Sequence, residues 1–320
     1  MSIQIYKIGS VFIHLSSVVL NDMKNFKDHN LNVPKSATSA WINGFIGVVI
    51  FSGSLPATRM AIVDFDPIFL TTCRSTIAGA LAIIALWYFQ EKLPNKRQIL
   101  PLFVVAIGVV VGYPLLTSLA LQYITSAHSI VFVAILPLST AIFGIVRGGE
   151  KPSRIFWFFS IIGSLLIIGY AMSNGLHASW RGDSLMLTAV ILCGLGYAEG
   201  AKLSRTMGGW QVISWALVLA LPVMIPLFFI YFPDHIETVS FQGWFGMAYI
   251  SLFSMFIGFI FWYKGLAQGG IATVGQLQLL QPFFGLALAA YFLHEQVSIG
   301  MLVVTVGVIL CVAGTKKFAK

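Results

Sequence analysis

The sequence predicts an all-α integral membrane protein of ten transmembrane helices, arranged as two inverted five-helix repeats. Three observations predict it. Of 320 residues, 58% are hydrophobic and only 9% charged, with a mean hydropathy of +0.89, whereas soluble domains run near a quarter charged. Apolar runs of about twenty residues recur along almost the whole chain, each long enough to cross a hydrocarbon layer about 30 Å thick. A segment near residue 140 also recurs in register near residue 285. The alternating ten-residue segments of a transmembrane barrel are not found in the sequence.

Taken in order, the apolar runs place helices at about 41–63, 67–89, 100–122, 125–146, 155–173, 183–204, 211–232, 243–264, 271–293 and 299–315. The connections are short and made of turn or polar residues. "DFDP" parts the first two helices, "QEKLPNKRQ" the next two, "RGGEKPSR" the fourth and fifth, and "NGLHASWRGD" the fifth and sixth. "PDHIE" and "AQGG" then flank the eighth helix. The chain thus reads as a polar N-terminal segment (1–39), a first five-helix repeat (40–174) and a second (180–316). The first twenty residues lack a small-x-small cleavage site, which argues against a signal peptide. Met23 opens "MKNFKDHNLNVPKS", an alternative translation start to Met1 that would leave the upstream residues outside the fold.

The net charge of +8 resides in short clusters between the apolar runs, so it reads as a topology signal and not as a nucleic-acid surface. Assigning loops alternately to two sides puts Lys7, Lys92, Arg97, Arg147, Lys151, Lys202, Arg205, Lys264 and the C-terminal lysines on one side, and only Arg181 on the other. By the positive-inside rule the first side is cytoplasmic, and both termini lie there. Cys73, Cys193 and Cys311 fall inside apolar runs without metal-ligand spacing, so no disulfide framework, metal or cofactor is implied.

"LPLSTAIFGIVRGGE" (136–150) and "QPFFGLALAAYFLHE" (281–295) align without a gap at an offset of 145 residues. Pro137 matches Pro282, Glu150 matches Glu295, and Ser153 and Ser298 follow each Glu by three residues. An offset of five helices, an odd number, puts the two copies in opposite orientations, as in the inverted repeats of secondary transporters. Glu150 and Glu295 read as structural carboxylates facing unpaired N–H groups at a helix start, with Ser153 and Ser298 as N-caps. Pro137 and Pro282 interrupt helices four and nine. They either curve the helix or expose carbonyls to a cavity.

These residues resemble the drug/metabolite transporter superfamily, specifically its ten-helix EamA-type branch. The resemblance spans about residues 40–316 and rests on "FSGSLPATRMAI", "CRSTIAGAL", "LALQYITSAHSIVFVAILPL" and "FWYKGLAQGGIATVGQLQLLQPFFGLALAAYFLHE" in that order. It implies two inverted repeats around a central cavity and movement of small metabolites or drugs, commonly outward. The sequence departs from the family pattern at His294, where a small residue is common, and in the glutamines of "GQLQLLQ".

Polar groups inside spans are costly and mark cavities or partners. Arg74 either bonds carbonyls as a brace or meets an anion. Arg59 snorkels or pairs with Asp64 or Asp66. His128 reads as a hydrogen-bonded packing residue, with proton coupling as the alternative. Gln278 and Gln281 share one face beside Pro282 and point inward, for substrate or for interhelical bonding. Tyr113 and the pair Trp262 and Tyr263 are aromatic walls or interfacial belt residues, the belt being favoured for the pair. Gly108 and Gly112 permit close helix packing. Glu199 either forms an ion pair with Lys202 or faces an inner vestibule among flexible glycines (Gly194, Gly196, Gly200), binding a substrate amine or a coupling proton.

The sequence therefore points to a secondary transporter, an exporter of a small amphipathic or zwitterionic metabolite or drug, in a bacterial inner membrane. Protons are a candidate coupling ion, and no nucleotide-binding loop is present in the sequence. A lipid-modifying membrane enzyme or a non-transporting receptor or scaffold are the alternatives.

Overall fold

The protein is described by a computed structural model covering residues 37–124, 126–173, 179–285, 287 and 299–318. The N-terminal segment with its two candidate starts, and the positions of His294, Glu295 and Ser298, lie outside these residues. All regular structure among the described residues is helical, in ten elements gathered in one compact unit, Ala37–Lys320.

The first half comprises α1 (Ala37–Ser52, resuming at Ser54–Ala61), α2 (Pro67–Tyr88), α3 (Lys96–Ala120), α4 (Ser126–Val133 and Leu136–Gly148) and α5 (Arg154–Ser173). The second comprises α6 (Trp180–Met207), α7 (Gly209–Ile230), α8 (Phe241–Gly269), α9 (Ile271–Gly275 followed by tighter turns over Gln276–Leu280, helical again to residue 285) and α10 (Ile299–Lys317). Six of these are long and apolar enough to cross a bilayer. The 22 residues of α2 alone give about 33 Å at 1.5 Å per residue. Large apolar side chains such as Ile84, Trp87, Leu165, Val303 and Leu310 are exposed on the outside of this unit. In water such a surface would aggregate; in lipid it is the solvated face.

Local sequence chemistry sets the ends. Asp66 accepts from the N–H groups of Ile68 (2.8 Å) and Phe69 (3.3 Å), with Pro67 as the first helical residue of α2. Asn95 and Gln98 form a reciprocal capping box at α3. Ser153 caps α5 through the Phe156 N–H (3.2 Å), as its position after Glu150 predicts. Gly149 ends α4 at φ +69°, a left-handed conformation that suits glycine.

The interruptions inside the helices obey the same accounting of backbone groups. Pro114 in α3 has no N–H for the Val110 carbonyl, and the Ser75 hydroxyl of α2 donates to that oxygen instead (3.3 Å). α4 breaks just ahead of Pro137, where Ser164 of α5 donates to the Ala134 carbonyl (2.7 Å). α1 breaks at Gly53, and the Tyr249 hydroxyl of α8 donates to Ile50 O (2.7 Å).

The inverted repeat is visible in these irregularities. Widened π turns occupy Ala106–Gly112 of α3 and Ile250–Ile257 of α8, nearly the same window at an offset of 145. Both α4 and α9 lose regular α geometry just ahead of their matched prolines, Pro137 and Pro282. Packing follows the same exchange. α2 lies against α7, α4 against α9 and α5 against α10, while α1 with α8 answers α6 with α3. Gly108 makes the last contact possible: a Cβ there would sit 2.7 Å from Leu192 O and 2.9 Å from the Gly196 Cα.

Candidate functional site

A narrow cavity, partly open to solvent, lies where the two halves meet. Its walls come from α1 (Phe51, Ser54, Leu55, Thr58), α2 (Arg74), α3 (Val109, Tyr113, Pro114, Thr117), α4 (Leu136), α6 (Tyr197), α8 (Ser254, Phe259) and α9 (Gln281). The α1, α2 and α3 residues belong to the halves of those helices nearer the 62–66 and 121–124 connections. Three wall pairs, Val109 with Ser254, Pro114 with Phe259 and Leu136 with Gln281, stand 145 residues apart, the offset of the repeat. The cavity is therefore built on the pseudo-symmetry axis.

One wall is polar. Ser254 Oγ receives hydrogen bonds from Ser54 Oγ of α1 (2.7 Å) and from Arg74 Nη2 of α2 (3.3 Å). Arg74 is 6% exposed, and its Nε has no hydrogen-bond partner among the described residues. Gln281 Nε2 donates to the Phe51 carbonyl (3.3 Å), tying α9 to α1. Another part of the wall is aromatic. Phe51 meets Phe259 edge-on at 5.1 Å and stacks with Tyr197 at 6.5 Å between ring centres.

Of the residues singled out in the sequence, Arg74, Tyr113 and Gln281 meet at this cavity. Gln278 is buried beside it without lining it, and its amide has no partner among the described residues. Trp262 and Tyr263 are not belt residues. Both are 0% exposed, because the last turns of α8 pack between α1 and α6. Trp262 supports the cavity from behind, 5.4 Å from Tyr197 and 6.2 Å from Phe51, and the Tyr263 hydroxyl donates to Gly196 O (3.2 Å). Phe51, Ser54, Tyr197, Ser254 and Phe259 were not singled out. Phe51 and Ser54 lie in the quoted "FSGSLPATRMAI", and Tyr197 stands two residues before Glu199.

Glu199 is paired, but not with Lys202. Its carboxylate, 2% exposed, accepts from Arg147 Nε in the last turn of α4 at 2.7 Å, while Lys202 points outward and is exposed. The glycines around it are contact points and not a flexible lining. A Cβ on Gly194 would meet Ser139, one on Gly196 would meet Val109 and Gly108, and one on Gly200 would strike the Tyr263 ring. Close by, Glu150 accepts from Ile271 N (2.6 Å) and Ala272 N (2.8 Å), and Arg205 adds an ion pair at 3.1 Å. The carboxylate thus caps α9, a helix of the other half. Both ion pairs lie at the end of the bundle that is rich in Lys and Arg.

At the opposite end His128 meets Asp183 of α6 at 2.8 Å and stacks on Phe132, as a hydrogen-bonded packing residue would. Arg59 does not pair with Asp64 or Asp66. It reaches the Leu121 carbonyl (3.4 Å), because Asp64 is engaged by Ser240 and Asp66 by its own helix start.

The family model described as "EamA-like transporter family" matches residues 38–173 and again 180–315. A Bacillus subtilis (strain 168) protein named "Uncharacterized transporter YdeK" is 60% identical over 283 residues, covering 88% of this chain and 99% of that protein. An "Uncharacterized transporter" of Archaeoglobus fulgidus is 24% identical over 277 residues, covering 83% and 94%. A solved crystal structure superimposes with a TM-score of 0.73 at 17% identity over 88% of this chain and 99% of that one, a likeness of fold.

Proposed function

The chain belongs to the EamA-like transporter family, and from that premise we propose that it is a secondary transporter exporting a small amphipathic or zwitterionic metabolite, or a drug, by alternating access. The observation that carries this reading is the cavity on the pseudo-symmetry axis, walled by four helices of the first half and three of the second. Two similar halves (40–174 and 180–316) that rock about such a cavity can present it to either side in turn. Arg74, Tyr113 and Gln281 are the proposed substrate contacts. Gln278 and Trp262 hold the wall behind them.

The Arg147–Glu199 and Arg205–Glu150 pairs form the proposed inner gate, which must part for the cavity to open to the cytoplasm. Glu199 within that gate, and His128 with Asp183 at the other end, are the candidate proton-coupling groups. Both termini are cytoplasmic in this reading, in a bacterial inner membrane. The test is flux in proteoliposomes loaded with a panel of amino acids, nucleosides and cationic drugs, with and without a pH gradient. Saturable flux of one class supports the proposal; no flux of any, with a product formed from lipid, would replace it with an enzyme.

A further inference from the structure

The central cavity carries a charge but no counter-charge. Arg74 is the one formally charged side chain among its described lining residues, and no carboxylate stands with it. None of the ion pairs among the described residues includes Arg74. A guanidinium offers five N–H donors in a planar fork that fits a carboxylate with two parallel bonds. Here a single donated bond, to Ser254 Oγ, is formed, and Nε is left over in a site 6% exposed. A buried cation in this condition is strongly stabilised by an arriving anion.

The rest of the cavity limits what that anion can be. Phe51, Tyr197 and Phe259 present an apolar aromatic wall to the same space, which favours an apolar body over a compact hydrated ion. α2 (Pro67–Tyr88) and α7 (Gly209–Ile230) match end to end at an offset of 142, which sets Ala216 opposite Arg74, so the repeat supplies no second cation to compete for the ligand. We propose that the cavity selects a small organic carboxylate, with Arg74 gripping the carboxylate and the aromatic cluster covering the apolar body. This rests on the cavity being the transport site.

The test uses the full chain, in detergent for binding and in proteoliposomes for flux. Three probes share one skeleton: 3-phenylpropionate, L-phenylalanine and phenethylamine. Chloride and inorganic phosphate serve as anion controls. The two carboxylates are expected to raise the melting temperature and to be carried, and phenethylamine to do neither. Arg74→Gln is expected to lose about 100-fold in affinity for the carboxylates, equivalent to about 2.8 kcal/mol. Arg74→Lys, a point charge without the fork, keeps part of it.

Phenethylamine carried in preference to both carboxylates would overturn the proposal while leaving transport intact. Equal stabilisation by chloride or phosphate would overturn it in favour of an inorganic anion site. Neither binding nor flux of either carboxylate would overturn it too, and the transporter reading itself would fail only if the wider panel also gave no flux. Should Arg74→Gln fail to fold, the parent's probe preference and Arg74→Lys decide the matter.

Discussion

Severing the Arg147–Glu199 contact tests the proposed inner gate at the basic end of the bundle. Glu199 is 2% exposed while the Arg147 side chain is 43% exposed, so the pair is half-wet. A hydrogen bond to a charged group contributes about 1.5–3 kcal/mol. Exposure of the guanidinium moves this pair to the lower part of that range, a coupling of about 1.5–2 kcal/mol. Arg147→Met should cost more than the coupling alone, about 3 kcal/mol, because it leaves a carboxylate buried without its partner. Glu199→Gln keeps an acceptor for Arg147 and should cost about 1 kcal/mol. In the double variant the stranded carboxylate is gone, so its loss should fall short of the two single losses added together by the coupling energy. Equilibrium unfolding in mixed detergent micelles, run as a double-mutant cycle, measures this. Additivity to within about 0.5 kcal/mol, the usual behaviour of independent sites, would refute the gate contact and the reasoning built on it.

Glu199→Gln is also expected to slow flux and to flatten its dependence on pH. Flux that matches the parent across a pH series would leave Glu199 a packing partner of Arg147 alone. Glu150→Gln should destabilise by about 2 kcal/mol, since its amide can accept from only one of the two α9 N–H groups and turns a donor toward the other; Glu150→Asp losing more than Glu150→Gln in the same unfolding assay would place reach above charge. Gly108→Ala should cost about 1–3 kcal/mol, because the atoms its Cβ meets are backbone and cannot rotate away. A melting temperature equal to the parent's would mean that α3 and α6 do not approach as described.

What the sequence reveals here is depth along each helix, and what it hides is the direction a residue faces. Run length and the connections place all ten elements, because a hydrocarbon layer dictates how many residues cross it. The turn around the axis has no such ruler: in lipid the outward face is as apolar as the inward one. Trp262 and Tyr263 sit near a helix end, as their place in the chain requires, yet face α1 and α6 and not the interface. Glu199 likewise lies near the basic end, but its partner arrives from α4, 52 residues earlier, and no spacing within α6 reveals it. The break at Gly53 is hidden for the same reason, since its freed carbonyl is answered by Tyr249 from α8. Pro137 and Pro282 announce their breaks because the missing N–H is a property of the residue itself.

The repeat explains which features come in pairs and which do not. The π turns of α3 and α8, the proline breaks of α4 and α9 and the matched wall positions are backbone devices, and both halves carry them. In the proposed alternating-access cycle such devices are where the two halves would pivot. The side chains of the cavity wall are unequal: Val109 is matched by Ser254, Leu136 by Gln281, and Arg74 by Ala216. A symmetric cavity would bind a ligand equally well in two opposed poses. With Ser54, Ser254 and Arg74 joined on one part of its wall and the rings of Phe51, Tyr197 and Phe259 on another, this one presents unlike surfaces to the two ends of a small molecule. In the proposed cycle, symmetry in the backbone supplies the motion, and its loss in the side chains supplies the selectivity.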